Sequence, residues 1–188
     1  MKSIYLFILL IAGACSSAPD KEQIIFKDGI GSLKLGMSLA DVEKLLGSKL
    51  ITTKNYLDSL NGTYEDTAQA VYNSIPLQLE FHRSYNNANN FYLRLIGIRS
   101  SSSLCKTASG IGIGSDKLKI ISYYDSCHIK IQPGYVSYFN TEEGKEKSTL
   151  SIFDDNENSP EGDDTYTIVF YLFNKKVNSF ELKAKLKE

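Results

Sequence analysis

Residues 28–47, DGIGSLKLGMSLADVEKLLG, carry the clearest periodic pattern in the chain. Their apolar side chains recur at the three- and four-residue spacing that places them on one face of a helix: Leu39, Val42, Leu45 and Leu46. Ser38 has a side chain suited to an N-cap, and Asp41, three residues later, can return a bond to the backbone of the cap. Gly47 supplies a stop. The pattern predicts a short helix that begins after Ser38.

Residues 109–125, SGIGIGSDKLKIISYYD, repeat this arrangement further along the chain. Gly114 aligns with Gly36 at an offset of 78 residues, and Asp116 then occupies the position of Ser38 as a suitable N-cap. Three apolar positions follow the same offset: Leu118, Ile120 and Tyr123 align with Ala40, Val42 and Leu45. Two copies of one pattern, each followed by β-like segments, predict a tandem repeat.

After each predicted helix the apolar residues change to a period of two, which is typical of strands with one face in water, as in residues 77–82 (LQLEFH). Residues 91–99 and 165–173 are apolar on both faces, which indicates central strands. Consecutive strands with short links pair antiparallel. We therefore predict an α+β fold of two repeats, residues 24–103 and 104–188, in which the helices pack on one face of an antiparallel sheet.

The first fourteen residues, MKSIYLFILLIAGA, have the pattern of a secretory signal peptide. Lys2 supplies a positive start, residues 4–11 are apolar, and small residues lead into Cys15. The apolar stretch is too short for a permanent membrane-spanning helix. A Cys directly after the small residues resembles the lipobox of bacterial lipoproteins, which implies that Cys15 is acylated and becomes the new N-terminus. The alternative is an ordinary cleaved signal with an incidental Cys.

Residues 15–23 are small or polar at most positions, as expected of a solvated tether. With an acylated Cys15, the tether joins the folded part of the chain to lipid. The resemblance therefore implies a lipid-anchored protein of the bacterial cell envelope. We favour the outer membrane, with the inner membrane as the alternative.

Removal of the signal and use of Cys15 for acylation leave two cysteines, Cys105 and Cys127. Because the compartment beyond the inner membrane is oxidising, a disulfide between them is one prediction. It would close a loop of about 22 residues and stabilise the fold by roughly 3 kcal/mol. Two buried free thiols are the alternative.

The overall composition restricts the function. The chain has 188 residues, 42% of them hydrophobic, and its 21 basic residues are balanced by 22 acidic ones. This length and apolar content are sufficient for a packed core. Affinity for phosphates requires an excess of Lys and Arg, so the balanced charge argues against a general nucleic-acid binder.

Residues that support catalysis or hold metals are few. His82 and His128, the two histidines, fall on polar positions of predicted strands, and neither belongs to a set with metal-ligand or nucleophile–base spacing. The glycine-rich run 110–114 (GIGIG) lacks the Rossmann and Walker patterns, which favours a tight turn before the helix over a phosphate loop. We predict a protein without catalytic residues, metal or cofactor.

The acidic segment 154–164, DDNENSPEGDD, begins with the alternating oxygen side chains of a calcium loop. The sixth position is Ser159 in place of Gly, and the twelfth is Thr165 in place of the bidentate Glu. We interpret the segment as a solvated hairpin loop, with calcium binding as the alternative.

Two short stretches resemble a known family. The helix start with its closing Gly, in residues 31–47, resembles the SmpA/OmlA outer-membrane assembly lipoproteins. The second copy, in residues 110–124, makes the chain similar to the secreted β-lactamase inhibitor proteins, which are built from the same unit twice. This resemblance implies a protein-binding scaffold without catalysis that holds its partner on an open sheet surface. In the inhibitor family a disulfide brackets the helix of a repeat, as Cys105 and Cys127 bracket the second helix here.

The function predicted from the sequence is that of a non-enzymatic cell-envelope lipoprotein, a protein-binding or scaffold module. Its predicted partners are the membrane, through the lipid anchor, and another envelope or secreted protein. Two other functions are left open. One is inhibition of a secreted hydrolase, and the other is the transport of a small ligand, which requires a closed apolar pocket with a few convergent polar groups.

Overall fold

The computed structural model describes residues 20–58, 63–85, 91–124, 128–133, 147–153 and 165–185. In chain order its elements are a 3-10 turn (Lys21–Gln23), β1 (Ile24–Phe26), β2 (Gly29–Ile30), β3 (Leu33–Lys34), α1 (Leu39–Leu46), β4 (Thr53–Asp58), β5 (Thr63–Tyr72), β6 (Ile75–Tyr85), β7 (Phe91–Ser100), β8 (Lys106–Thr107), α2 (Lys117–Tyr123), β9 (His128–Pro133), β10 (Lys147–Phe153), β11 (Thr165–Phe173) and β12 (Lys176–Lys185).

The strands form two sheets. The larger sheet has eight antiparallel strands in the order β4-β5-β6-β7-β12-β11-β10-β9. It consists of two four-stranded meanders that meet where β7 pairs with β12. The smaller sheet has the order β3-β2-β1-β8, and its β1–β8 pair is parallel. Both sheets therefore contain strands from each half of the chain.

The predicted α+β fold, with helices packed on one face of an antiparallel sheet, is wrong. The protein is mostly β, with two sheets. The two helices of the described residues have eight and seven residues, and they are roughly 12 and 10 Å long. Eight strands extend roughly 34 Å across the sheet. Two such short helices cannot form a layer over it, because the period-two segments occupy far more of the chain than the helical ones.

Both predicted helices and their N-caps are confirmed. Ser38 Oγ accepts a bond from Asp41 N–H at 3.2 Å and donates to Asp41 Oδ2 at 2.6 Å, so the Asp41 carboxylate bonds to the hydroxyl of the cap rather than to its backbone. Gly47 ends α1 with φ of 67°. Asp116 Oδ1 accepts from Leu118 N–H at 3.0 Å at the start of α2.

The aligned glycines attach the two helices to the large sheet in the same way. Gly36 N–H donates to Leu95 C=O on β7 at 2.7 Å, and Gly114 N–H donates to Val177 C=O on β12 at 2.8 Å. Each strand residue donates back to the residue after the glycine, at 2.8 and 2.9 Å. Both glycines have positive φ, 88° and 83°, which other residues adopt only with strain. The 78-residue offset thus aligns one local structure with another. The boundary between residues 103 and 104 stays a prediction.

One face of the large sheet is buried. Its fully buried large side chains include Leu77, Leu79, Phe81, Leu95, Ile98, Phe170 and Phe180. Val42 of α1 and Ile120 of α2 belong to the same core cluster, as do Ile30 and Leu33 of the small sheet. The helices and the small sheet therefore share one core with this face.

The last residues of the predicted tether are part of the fold. The Glu22 carboxylate accepts bonds from Ser32 N–H at 2.9 Å and from Ser32 Oγ at 3.0 Å, and it also accepts from the Tyr72 hydroxyl. These bonds attach the turn Lys21–Gln23 to the loop after β2 and to the end of β5. Residues 1–14, and the tether as far as residue 19, lie outside the described residues.

Candidate functional site

The second face of the large sheet carries mainly polar side chains. Because side chains alternate along a strand, the residues next to the core positions point to this face. Gln69, Gln78, Arg99 and Lys183 are exposed there. We call this surface the open face. Its centre comprises Glu65, Glu80, Gly97, Arg99, Tyr171, Glu181 and Lys183.

A β-bulge lies at the centre of the open face. Glu80 on β6 pairs with Gly97 on β7, and Phe81 pairs with Leu95, so Ile96 is an extra residue without a partner in the register. A Cβ atom at position 97 would lie 2.9 Å from both the Glu80 Cβ and its carboxylate oxygen. The Glu80 side chain therefore lies over Gly97, and any larger residue would displace it.

Glu80 forms a carboxyl pair with Glu65 of the neighbouring strand β5. Burial, a hydrogen bond with the Glu65 carboxyl group and the charge of Glu65 raise the pKa of Glu80 to about 7, while the charge of Lys183 opposes the rise. Two adjacent carboxylates cannot both ionise without repulsion. The pair therefore keeps a proton well above the pH at which an ordinary Glu loses its own.

A second group of polar side chains adjoins this pair on β7, β11 and β12. The Tyr171 hydroxyl donates to Glu181 Oε2 at 2.5 Å, and Lys183 Nζ lies 3.5 Å from Glu181 Oε1. The Arg99 guanidinium carbon lies 4.7 Å from the centre of the Tyr171 ring, within the range of a cation–π contact. Burial and the hydrogen bond with Glu181 raise the pKa of Tyr171 to about 12. The tyrosine is thus fixed in its protonated form.

Among the described residues, two grooves adjoin the open face. One, of about 470 Å³, lies beside β4 and β5, and it is lined by Lys49, Ile51, Thr53, Thr67, Ala68 and Gln69. The other, of about 360 Å³, extends from Gln69 and Gln78 past Arg99 to Asn178 and Ser179. Neither lining includes Glu65 or Glu80, so neither groove encloses the carboxyl pair.

The predicted cysteine sites are only partly within the described residues. Cys105 is fully buried, and burial raises the pKa of its thiol to about 11. Cys15 and Cys127 lie outside the described residues. The acylation of Cys15 and the disulfide between Cys105 and Cys127 stay predictions.

The glycine-rich run 110–114 is a tight turn before α2. Gly110 N–H donates to Thr107 C=O at 2.8 Å, Ile111 N–H donates to Thr107 Oγ1 at 3.0 Å, and Gly112 N–H donates to Ser115 Oγ at 3.0 Å. These amide groups are therefore already bonded within the protein. A phosphate loop would need them free to face the ligand.

The two histidines lie on different strands of the large sheet. His82 is half-buried on β6, and His128 begins β9. Across the described ranges, no group of three or more His, Cys, Asp or Glu residues is arranged to hold a metal ion. The predicted loop 154–164, with its calcium alternative, lies outside those ranges. None of the helices that the structure describes is long and apolar enough to span a membrane.

The centre of the open face was not predicted from the sequence pattern. Gly97 was a usable signal, because a lone glycine inside an apolar strand pattern indicates a bulge or a close contact. The pairing of Glu65 with Glu80, and of Tyr171 with Glu181, depends on strand register and had no local signal.

Comparisons of the chain with protein-family models, with curated proteins and with solved structures give no match. The resemblance to the assembly lipoproteins and the inhibitor proteins therefore stays a hypothesis that rests on two short stretches of sequence.

Proposed function

We propose that this protein is a non-enzymatic, lipid-anchored module of the bacterial cell envelope that binds another protein through its open face. The observation that carries the proposal is the group formed by Arg99, Tyr171 and Glu181 on an exposed sheet surface. The signal-like residues 1–14 and the following Cys15 support the anchor and the location.

The open face has the side chains and the rigidity that protein recognition requires. Tyr and Arg are enriched among the residues that contribute most to protein–protein binding. Here the Tyr171 hydroxyl donates a hydrogen bond to Glu181, and the Arg99 guanidinium lies over the Tyr171 ring. Both side chains are therefore ordered before a partner binds. Such preorganisation lowers the entropic cost of association.

The chemistry of the open face supports binding more than catalysis. A catalytic carboxyl pair acts on a substrate held within reach in a site that excludes water. Glu65 and Glu80 face each other, and the two adjoining grooves are lined by other residues. Tyr171, with its pKa of about 12, is also a poor base near neutral pH.

The proposal can be tested by site-specific photo-cross-linking in living bacteria. A photoreactive amino acid is introduced at Gln78, which is exposed on the open face, and in a control protein at Lys44, which is exposed on α1. We expect one discrete protein adduct from position 78 and none of that size from position 44. Arg99→Glu in the same protein should reduce the adduct strongly, because it reverses the charge stacked on Tyr171.

The same preparation tests the anchor. Mass spectrometry of the purified protein should find acyl groups on Cys15, and Cys15→Ser should abolish them. Equal adducts from positions 78 and 44 would contradict the binding proposal, and an unmodified protein that retains Met1 would contradict the anchor. If the adduct contains a secreted hydrolase whose activity the protein suppresses, the function is inhibition rather than scaffolding.

A further inference from the structure

A second surface carries a group of exposed lysines. Four of its lysines are exposed on three neighbouring segments, together with three exposed apolar or aromatic side chains: Lys106, Lys119, Lys175, Lys176, Leu104, Leu118 and Tyr123. We call this set the basic patch. The half-buried Lys117 lies between these segments. Among the described residues 104–107, 116–124 and 175–176, Asp116 is the one acidic residue.

Backbone contacts bring the segments of the basic patch together. Lys117 N–H donates to Lys175 C=O at 2.8 Å, and Asp116 forms a β-bridge with Lys176. Lys106 forms a β-bridge with Gly112 at the turn before α2. Lys119 Nζ reaches back to the same turn. These contacts fix the positions of the lysines, so their charges add at one surface although the whole chain has a net charge of −1.

The exposed apolar residues of the patch are large. Leu118 is 73% exposed, Tyr123 is 55% exposed and Leu104 is 44% exposed. Leu118 lies on the side of α2 opposite Ile120, the buried residue of the helix, and Tyr123 lies one turn after Ile120 with more than half of its surface exposed. Lysines around exposed leucine and tyrosine side chains match an anionic bilayer, because the charges attract the head groups while the apolar groups enter the interface.

The predicted tether enters the fold beside this patch. Ile24 of β1 is paired with Lys106 of β8, and the described chain begins four residues earlier, at Asp20. Five residues separate Asp20 from Cys15, a distance of at most about 17 Å in an extended chain. An acylated Cys15 would therefore hold the basic patch near the membrane, where even a weak attraction acts at high effective concentration.

The other helix provides an internal comparison. α1 is attached to the sheet like α2, but its exposed residues Asp41 and Lys44 have opposite charges, and Glu43 adds a further negative charge. The excess of lysine is thus specific to the α2 side and does not follow from the way in which these helices are attached.

We propose that the basic patch rests on an anionic lipid bilayer and orients the anchored protein on the membrane. This inference rests on the proposed lipid anchor at Cys15. An anionic bilayer strengthens binding by roughly fivefold for each lysine at its surface, so the combined attraction is sufficient to select one orientation.

The test is lysine footprinting of the purified, acylated full chain in phosphatidylcholine vesicles with and without phosphatidylglycerol. Acetylation of each lysine is followed by peptide mass spectrometry. We expect Lys106, Lys119 and Lys176 to react roughly fivefold more slowly in the anionic vesicles than in the neutral ones. Lys183 and Lys185, which are exposed on the open face, should react equally in both. High salt should remove the protection.

Matched double variants test whether the charges cause the protection. Lys119→Gln with Lys176→Gln should restore the reactivity of Lys106 in anionic vesicles, whereas Lys183→Gln with Lys185→Gln should leave Lys106 protected. Equal rates at patch and control lysines would overturn the proposal. Equal protection of the patch in neutral vesicles would overturn it as well, because the charge of the lipid would then play no part.

Failure of the anchor can be distinguished from failure of the patch. If mass spectrometry finds Cys15 without acyl groups, the anchor is wrong, and the same unmodified protein is mixed with the two kinds of vesicle. Protection of the patch lysines by anionic vesicles alone would then still support the lipid surface. A patch that binds neither kind of vesicle is not a membrane surface.

Discussion

Glu80→Gln is expected to abolish a loss of stability that the wild-type protein undergoes as the pH rises from about 5 to 8. Glu80 lies over Gly97 and is hydrogen-bonded to Glu65, and its pKa is raised to about 7. The folded protein therefore prefers the protonated carboxyl group. Gln has a similar shape and remains neutral at every pH, so the variant keeps the contact without the titration.

The sign and size of the effect follow from the two pKa values. The carboxyl group has its ordinary pKa of 4.5 in the unfolded chain and about 7 in the folded protein. Its contribution to stability is therefore complete below pH 4.5 and is lost as the pH rises through 7. This difference corresponds to ~3.4 kcal/mol, and screening of the partly exposed group reduces it to about 1–2 kcal/mol.

The assay is urea unfolding of the wild-type protein and the Glu80→Gln variant at a series of pH values. We expect the free energy of unfolding of the wild type to fall relative to that of the variant by about 1–2 kcal/mol over this range. Glu43→Gln is the matched control, because hydrogen bonds with Lys49 and Leu50 N–H lower the pKa of Glu43. Replacing Glu43 should not alter the pH dependence of the free energy of unfolding above pH 5. Parallel curves for wild type and Glu80→Gln would refute the reasoning.

Three further substitutions test the fold by urea unfolding. Gly97→Ala should destabilise the protein by about 1–3 kcal/mol, because the added Cβ lies 2.9 Å from the Glu80 Cβ. Asp66→Ala should cost about 3 kcal/mol, since Asp66 is buried and its two oxygens accept bonds from Arg83 at 2.6 and 3.0 Å. Ser38→Ala should cost about 1 kcal/mol through the loss of the α1 cap.

Each of the last two substitutions has a control in the same chain. Asp28→Ala removes an ion pair with Lys34 in which both side chains are partly exposed, and it should cost less than about 1 kcal/mol. Ser48→Ala alters an exposed serine just after α1 and should change stability by less than about 0.5 kcal/mol. Equal losses of unfolding free energy for Asp66→Ala and Asp28→Ala would contradict the prediction that the buried ion pair contributes more to stability than the partly exposed one.

Local sequence signals were sufficient to predict the helices, but they did not predict the order of the strands in the sheets. The side chains of Ser38 and Asp116 form their N-cap bonds within three residues, so sequence spacing alone identifies both helix starts. Antiparallel pairing of consecutive strands also follows from short links. The predicted fold class was wrong because seven or eight residues are enough for a capped helix but not for a helical layer that covers the sheet.

The polar centre of the open face depends on long-range register. Glu80 meets Lys183 across Gly97 because β7 lies between β6 and β12, which are about a hundred residues apart in the chain. A shift of one residue in either pairing would turn these side chains into the core. Sequence periodicity identifies which residues point away from the core, but it does not identify their neighbours in adjacent strands.

The two proposed surfaces have compatible orientations. Ile120 anchors α2 in the core on the buried face of the large sheet, so Leu118, on the opposite side of the helix, points away from that sheet. The open face, with Arg99 and Tyr171, lies on the other side of the same strands. A protein resting on lipid through the basic patch would therefore present its open face away from the membrane, where a partner can reach it. If Lys119 is protected by anionic lipid, a cross-linker at Gln78 should capture the partner without capturing lipid.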